Sequence, residues 1–435
     1  MIRRTVREWE RIGYGADETE IPEPYADQIA AAARASTFSG PGGEGVLEHG
    51  RKGLRARGVV GVVAARDCQL EILPKIEGAG EAGVDDATLP NRLIHMLAVA
   101  RDIRIDPGSA AQLAWQHDTI LELLIRLFCN KLADALRQGM PQQYTDREDD
   151  LPALRGRLDI TRQFSVLAAS PQMLACRFDE RSPDTALNQV MKAATSKLSR
   201  LARAPDNQRA LRELGFAYAD ISEVPPGVLR WDRIVLDRTN TRWCELLSLA
   251  RLFLEDRHQQ TSSGSIDGYA LLFEMNVLFE DYVARLLARA LAADAGLRVS
   301  AQGGHRDCLF EGETGRFRTR PDLIIREGGK VAVIIDTKWK RLAARTHDPK
   351  RGVSQGDVYQ SMAYGRLYDC PNVVLLYPHH GGLPPAPVFA RYSIAESGAP
   401  ESLIVATLDV AGLRRKCQAT LRDLVMDCLN DVVAL

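Results

Sequence analysis

No run of 18 uninterrupted apolar residues occurs in the 435-residue sequence, so nothing in it reads as a membrane-spanning helix. The opening stretch MIRRTVREWERIGYG carries basic residues but lacks the apolar segment of a secretory signal. The eight cysteines (Cys68, Cys129, Cys176, Cys244, Cys308, Cys370, Cys417 and Cys428) are scattered, with neither a CxxC pair nor a histidine at zinc-finger spacing. That argues against a structural zinc and for reduced thiols. The expectation is a cytoplasmic protein with no membrane contact. A phosphate loop is also missing: the glycines of SGPGGEG (39–45) lack a GK[ST] ending and follow no strong strand, so they read as a break. Any movement driven by a nucleoside triphosphate must come from another polypeptide. Nor is there an excess of one charge, since 56 Lys and Arg face 57 Asp and Glu for a net charge of -1. A nucleic-acid surface, if present, is local.

What the chain does have is a 45% hydrophobic share, enough for two or three domains with cores. The reading is an α/β protein, α+β over its whole length, in three parts. Residues 1–108 form a β-rich N-terminal domain, with strands at GVVGVVA (58–64) and QLEILPKI (69–76) and a short helix over PYADQIAAAARAS (24–36). Residues 109–258 form a helical scaffold, as in 120–136, where Leu121, Leu124, Ile125, Phe128 and Leu132 recur at helical spacing, and in a second helix over 185–201. The polar stretch DRHQQTSSGSID (256–267) marks the boundary to the third part, 259–435. There a helix of about 28 residues (266–293) is followed by strand-like RFRTRPDLIIRE, a Gly328-Gly329 turn and the strand KVAVIID. A helix around 358–368, the strands NVVLLYP and LIVATLDV and a closing helix over 413–429 complete a central mixed sheet flanked by helices.

The chemistry concentrates in RPDLIIREGGKVAVIIDTK (320–338). Asp322 opens one strand, Asp336-Thr337-Lys338 ends the next, and a glycine turn sets the two side by side. Side chains repeat every two residues in a strand, which puts Asp336 and Lys338 on one face. Asp322 and Asp336, with the Thr337 carbonyl, offer the hard oxygen ligands suited to Mg²⁺, or Mn²⁺ in its place, with positions left for water and a phosphate oxygen. Lys338 would stabilise negative charge on the attacking water or the phosphate. Phosphodiester hydrolysis is the reaction this suits. The flanks are locally basic, through Arg316, Arg318, Arg320, Lys340, Arg341, Arg345, Lys350 and Arg351. Arg318, Arg320, Lys340 and Arg341 are the candidates for DNA phosphate contacts.

Pro321-Asp322 and Asp336-Thr337-Lys338 resemble the PD-(D/E)xK nuclease superfamily. That resemblance implies that Glu280, in NVLFEDYV, is the first-helix carboxylate that completes the metal site. It implies too that Gln360 and Tyr364, in YQSMAY, match the QxxxY element of the branch similar to RecB, sharing one helix face at i and i+4. LEILPKI (70–76), LRGRLDI (154–160), CRFDERSPDTALNQVMKA (176–193) and MNVLFEDYV (275–283), in this order before PD and DTK, look like the McrC family over roughly residues 70–378. This narrower resemblance implies the nuclease subunit of a McrBC-type, modification-dependent restriction system. Its partners would be a hexameric McrB-like AAA+ GTPase, bound through the N-terminal part and stimulated by it, and double-stranded DNA carrying modified cytosine. The basic stretch with Arg51, Lys52, Arg55 and Arg57 would suit that partner contact, or is an exposed turn. Two other readings share parts of the sequence. One is a stand-alone repair or recombination nuclease similar to RecB; the other is a non-catalytic adaptor of an AAA+ motor.

Overall fold

A computed structural model describes residues 2–34, 46–76, 88–105, 119–170, 172–236, 241–254, 268–343, 350–393 and 402–433. The glycine-rich 39–45, the polar 256–267 and Arg345 lie outside the described residues. The chain divides into two compact units, one formed by 1–121 together with 257–435, the other by 122–256.

The first unit opens with β1 (Ile2–Arg7), β2 (Arg11–Gly13), α1 (Glu23–Arg34), β3 (Leu47–Gly50), β4 (Gly53–Ala56), β5 (Val59–Ala64), β6 (Cys68–Leu73) and α2 (Leu89–Ala100). α3 (Ile120–Arg137) follows. β2, β4 and β3 make a small antiparallel sheet. α1 places Ala26, Ile29, Ala30 and Ala33 against β5 and β6, its alanines allowing close approach of helix to sheet. Arg51 and Lys52 sit exposed at the turn between β3 and β4, whereas Arg55 and Arg57 both pair with Glu48.

The second unit contains β7 (Gln143–Leu151), β8 (Arg157–Leu158), α4 (Ile160–Ser165), β9 (Leu174–Ser182), α5 (Ala186–Leu201), α6 (Pro205–Ala217) and α7 (Trp243–Leu254). α5 starts where the Thr185 hydroxyl accepts from the backbone of Asn188, capping the helix. The unit is not all helical: β7, β9 and β8 form a three-stranded antiparallel sheet. β7 is exposed along nearly its whole length, so its sequence QYTDREDDL carries no apolar alternation to reveal it. Between the helices, the buried Glu122 carboxylate accepts from Asn207 Nδ2 at 2.7 Å and from the Arg203 backbone at 2.5 Å.

The chain then returns to the first unit with β10 (Tyr269–Glu274), α8 (Met275–Ala290), β11 (Leu297–Ala301), β12 (Arg306–Glu311), β13 (Thr314–Thr319), β14 (Leu323–Glu327) and β15 (Lys330–Thr337). α9 (Gln355–Tyr368), β16 (Asn372–Pro378), β17 (Val388–Ser393), β18 (Ser402–Leu408) and α10 (Arg414–Val433) follow. The expected single helix over 266–293 is corrected: its first part is a strand. Tyr269–Phe273 are all buried, and a short apolar run of this kind fits a buried strand or a buried helix equally well by pattern alone. β10 pairs antiparallel with β5, giving the sheet order β1-β6-β5-β10 and tying the N-terminal sheet directly to α8. Gly61 makes that pairing possible. It sits opposite Leu272 at φ 130°, and a Cβ there would lie 2.0 Å from the Leu271 carbonyl oxygen. Gly61→Ala is expected to destabilise the first unit by about 3 kcal/mol, from backbone strain together with the clash. Urea unfolding should show a lower midpoint, and an unchanged midpoint would refute the tight β5–β10 contact.

Glu71, on β6, is buried and accepts the Ile120 backbone N–H at 2.7 Å. Burial pushes its carboxyl up to about 7, against the pull of that hydrogen bond and of the Arg3 charge. The folded state therefore prefers the protonated acid. This contribution is complete below about pH 4.5 and fades as the pH rises through about 7. Glu71→Gln keeps an acceptor oxygen and should match wild type near pH 4.5 but exceed it at pH 8 by about 2 kcal/mol. Thermal unfolding at both pH values checks this, and equal gaps at the two would contradict it.

The main sheet runs β11-β14-β15-β16-β18-β17, with β15, β16 and β18 parallel and the others antiparallel. Val333, Ile334 and Ile335 on β15 and Val373, Val374 and Leu375 on β16 are all buried, as expected of strands covered on both faces. α9 packs on β15 and β16, while α8 and α10 pack on each other and on β15. RFRTRPDLIIRE is not one strand: β13 pairs with β12 in a separate exposed hairpin, and the chain passes through Pro321-Asp322 before β14 joins the main sheet. Gly328 and Gly329 adopt φ 54° and 89°, the positive angles of a two-residue turn that only glycine takes up readily. Among the described residues no helix is long and apolar enough to cross a membrane.

Candidate active site

The β14–β15 hairpin places Asp322 immediately before β14, beside the end of β15 where Thr337 and Lys338 leave the sheet. Asp322 Oδ2 accepts from the Thr337 backbone N–H and from the Thr337 hydroxyl, both at 2.7 Å. Sequence reasoning gave Thr337 a backbone carbonyl role; the structure adds two donors that fix the Asp322 carboxylate. Asp336 is 1% exposed. Lys338 Nζ lies 2.6 Å from Asp336 Oδ2 and donates to Gln360 Oε1 at 3.1 Å. The 2.6 Å contact pairs the buried carboxylate with the lysine charge, and no neutral group donates to this oxygen. Gln360 Nε2 in turn donates to the Tyr364 hydroxyl at 2.7 Å, which donates to the Arg320 carbonyl at 3.4 Å. The one-turn spacing on α9 therefore builds a relay that holds the lysine.

Glu280, on α8, lies within electrostatic reach of Asp322. Burial and then the neighbouring Asp322 charge push its carboxyl up to about 7, against a hydrogen bond from Gln302. Gln302 is a residue that the sequence reading missed. Its backbone N–H donates to the Asp322 carbonyl at 2.7 Å, and its side-chain oxygen accepts from Arg320. It stands at φ 49° in a turn after β11 and belongs to no recognisable motif, so no signal marked it. Asp336 is pushed up to about 6, first by burial and then by Asp322, with Lys338 opposing. Two carboxyls raised in part by the same third carboxylate are groups that a divalent cation would return to their charged forms. Among the described residues no three His, Cys, Asp or Glu side chains are grouped closely enough to hold a metal ion by themselves. The fit to Mg²⁺ or Mn²⁺ thus rests on the Asp322 and Asp336 pair, on their hard oxygen donors, and on Glu280 within electrostatic reach.

The predicted phosphate-binding residues are placed less uniformly. Arg318 lies on β13 and pairs with Asp307 at 3.5 Å, and Lys340 pairs with the buried Asp357 at 3.0 Å. Arg320 is turned toward Gln302, and Arg341 lines a cleft beside the site. Arg316 pairs with Glu311, Lys350 donates to Gln355, and Arg351 donates to the Phe389 carbonyl. The two nearby histidines are structural. His380 Nε2 donates to the Leu342 carbonyl and its Nδ1 accepts from Gly382, while His379 Nδ1 is bonded to Thr407.

Residues 54–378 match the family model described as "McrBC 5-methylcytosine restriction system component". No curated protein matches the sequence. The fold is similar to that of a chain in the refined half-complex from the tetradecameric assembly of Thermococcus gammatolerans McrB AAA+ hexamers with bound McrC. That alignment has a TM-score of 0.72 and 20% identity, covering 97% of this chain and 100% of the other. A chain of the cryo-EM structure of the Thermococcus gammatolerans McrBC complex aligns with a TM-score of 0.52 and 23% identity, over 66% of this chain and 88% of that one. With three quarters of its length matched to the family model, and the β14–β15 hairpin inside the matched span, the chain belongs to the McrBC 5-methylcytosine restriction system component family.

Proposed function

We propose that the chain is the metal-dependent DNA endonuclease subunit of a McrBC-type system, cutting DNA that carries modified cytosine while an AAA+ GTPase partner supplies movement along it. The observation that carries this reading is the convergence of Asp322, Asp336 and Lys338 at one strand end, backed by Gln360 and Tyr364. Asp322 and Asp336 would hold Mg²⁺ or Mn²⁺, with Glu280 as the third carboxylate. When bound, the metal supplies Lewis-acid activation of water and neutralises charge on the phosphate. Thr337 keeps Asp322 oriented through two hydrogen bonds. Lys338, held by Gln360, sets a positive charge where the phosphate gains negative charge. The burial of Asp336 strengthens each of these electrostatic interactions.

The solved assemblies similar in fold contain McrB AAA+ hexamers or the McrBC complex, which supports an AAA+ ring as the partner. The lack of a phosphate loop in this chain agrees with that division of labour. The test is cleavage of cytosine-methylated and unmodified plasmid with Mg²⁺, with and without the AAA+ partner and GTP. Cutting that requires partner, GTP and methylation is expected. Cutting by the chain alone, indifferent to methylation, would replace this reading with a stand-alone nuclease, and GTPase stimulation without cutting would replace it with an adaptor.

A further inference from the structure

Next to the catalytic strand end, within the first unit, a cleft of about 410 Å³ opens between the turn after β1, the end of β6 and the segments that follow β15 and β16. That size falls in the range of about 300–1,000 Å³ typical of small-ligand sites. Its lining is unusual in joining two indoles, a buried carboxylate and several cations, among them Trp9, Trp339, Glu8, Lys75 and Arg341. Trp339 follows Lys338 directly, so the cleft begins where the active site ends. Its ring packs against Phe279 at 5.4 Å, and its Nε1 donates to Glu8 Oε1 at 2.8 Å. The Lys75 backbone N–H donates to the same oxygen at 2.9 Å.

Two features of this cleft point to a ligand. Glu8 is 1% exposed, yet its Oε2 has no hydrogen-bond partner, an expensive arrangement for a buried carboxylate. Trp9 is 49% exposed and stands at φ 65° in the turn between β1 and β2, which the Glu10 N–H closes on the Arg7 carbonyl, so the turn holds a bulky ring out at the cleft in a left-handed conformation. An exposed indole held in a strained conformation beside an acceptor without a donor is a binding arrangement.

We propose that this cleft holds one nucleotide of the DNA strand beside the scissile phosphate, its base against Trp9 and Trp339, an exocyclic amino group donating to Glu8 Oε2, and its phosphates near Lys75 and Arg341. The proposal rests on the nuclease reading above for its strand and deepens it by assigning a base preference. Cytosine, adenine and guanine each carry an exocyclic amino group, whereas thymine carries none and offers a carboxylate only its ring N3–H, flanked by two carbonyl oxygens that the carboxylate repels. Stacking on an indole tolerates any base, so Trp9 contributes affinity and Glu8 contributes discrimination.

Fluorescence anisotropy of labelled dC₁₂ and dT₁₂ with the full chain, in EDTA so that no cleavage occurs, tests this directly. Wild type is expected to bind dC₁₂ about tenfold more tightly than dT₁₂. Trp9→Ala, at an exposed position, should weaken both by about tenfold or more, with Trp9→Phe restoring most of the loss. Glu8→Gln, which turns a donor into the cleft, should abolish or reverse the preference. Equal wild-type affinities for the two oligonucleotides, or unchanged binding by Trp9→Ala, would overturn the proposal. So would competition-insensitive binding of GTP with no oligonucleotide bound, which would assign the cleft to a free nucleotide. Because binding is read without metal, these failures are separate from failure of the nuclease reading, which shows only in plasmid cleavage.

Discussion

Asp336→Ala is expected to lower plasmid cleavage at least about 10³-fold while leaving the protein as stable as wild type or more so. The two halves of this result have one physical cause. Asp336 is 1% exposed and its carboxyl is pushed up to about 6 by burial and by Asp322, so the fold gains nothing from holding it there. A group that is costly to fold and sits against a second carboxylate is retained for what it binds. If Asp336 holds the metal as proposed, its removal forfeits several kcal/mol of charge stabilisation, and about 4 kcal/mol corresponds to roughly 10³ in rate. Cleavage and thermal unfolding measured on the same preparation check both halves. A variant that cuts normally, or one that loses activity only because it unfolds, would show Asp336 to be structural.

Lys338→Ala is expected to reduce the cleavage rate by about 10²–10³-fold, the scale seen when one preorganised donor to a developing charge is removed. Its signature differs from that of Asp336→Ala. Lys338 is the group that opposes the upward push on the Asp336 carboxyl, so its removal leaves the acidic pair intact and more strongly self-repelling. Metal affinity should therefore be kept or increased while the rate falls. Gln360 loses its cation at the same time, which frees its side chain but does not disturb the Gln360–Tyr364 hydrogen bond. A metal titration of activity separates the cases: a lower maximal rate with an unshifted or lower metal requirement fits the assigned role. Near-normal cleavage would remove Lys338 from the chemistry.

The hairpin that carries these residues was legible in the sequence because three local signals agree there. A glycine pair forces the turn, a fully apolar run marks a strand buried on both faces, and charged residues at its end stand out against that background. The Gln360 and Tyr364 spacing was equally readable, since one helical turn separates them, and the structure links them in a single hydrogen-bonded chain to Lys338. β10 escaped because YALLFE is apolar throughout all but its last residue and runs straight into a true helix, so neither period dominates. β7 escaped for the opposite reason, being exposed and charged. Gln302 and Glu8 act through tertiary contacts with Asp322 and Trp339, residues far along the chain that no local pattern connects to them. The flanking basic residues show a further limit of composition: Arg318 and Lys340 are each matched to an acid that lies far enough along the chain to be overlooked.

The central claim is that the carboxylates at this strand end form a metal site. Calorimetric titration of Mn²⁺ into the full chain, for wild type and for Asp322→Asn and Asp336→Asn, tests it most directly, because it reads binding without any need for DNA or partner. Saturable binding by wild type that either substitution abolishes is the predicted result. Wild-type affinity retained in both variants, or no binding by wild type, would contradict the account.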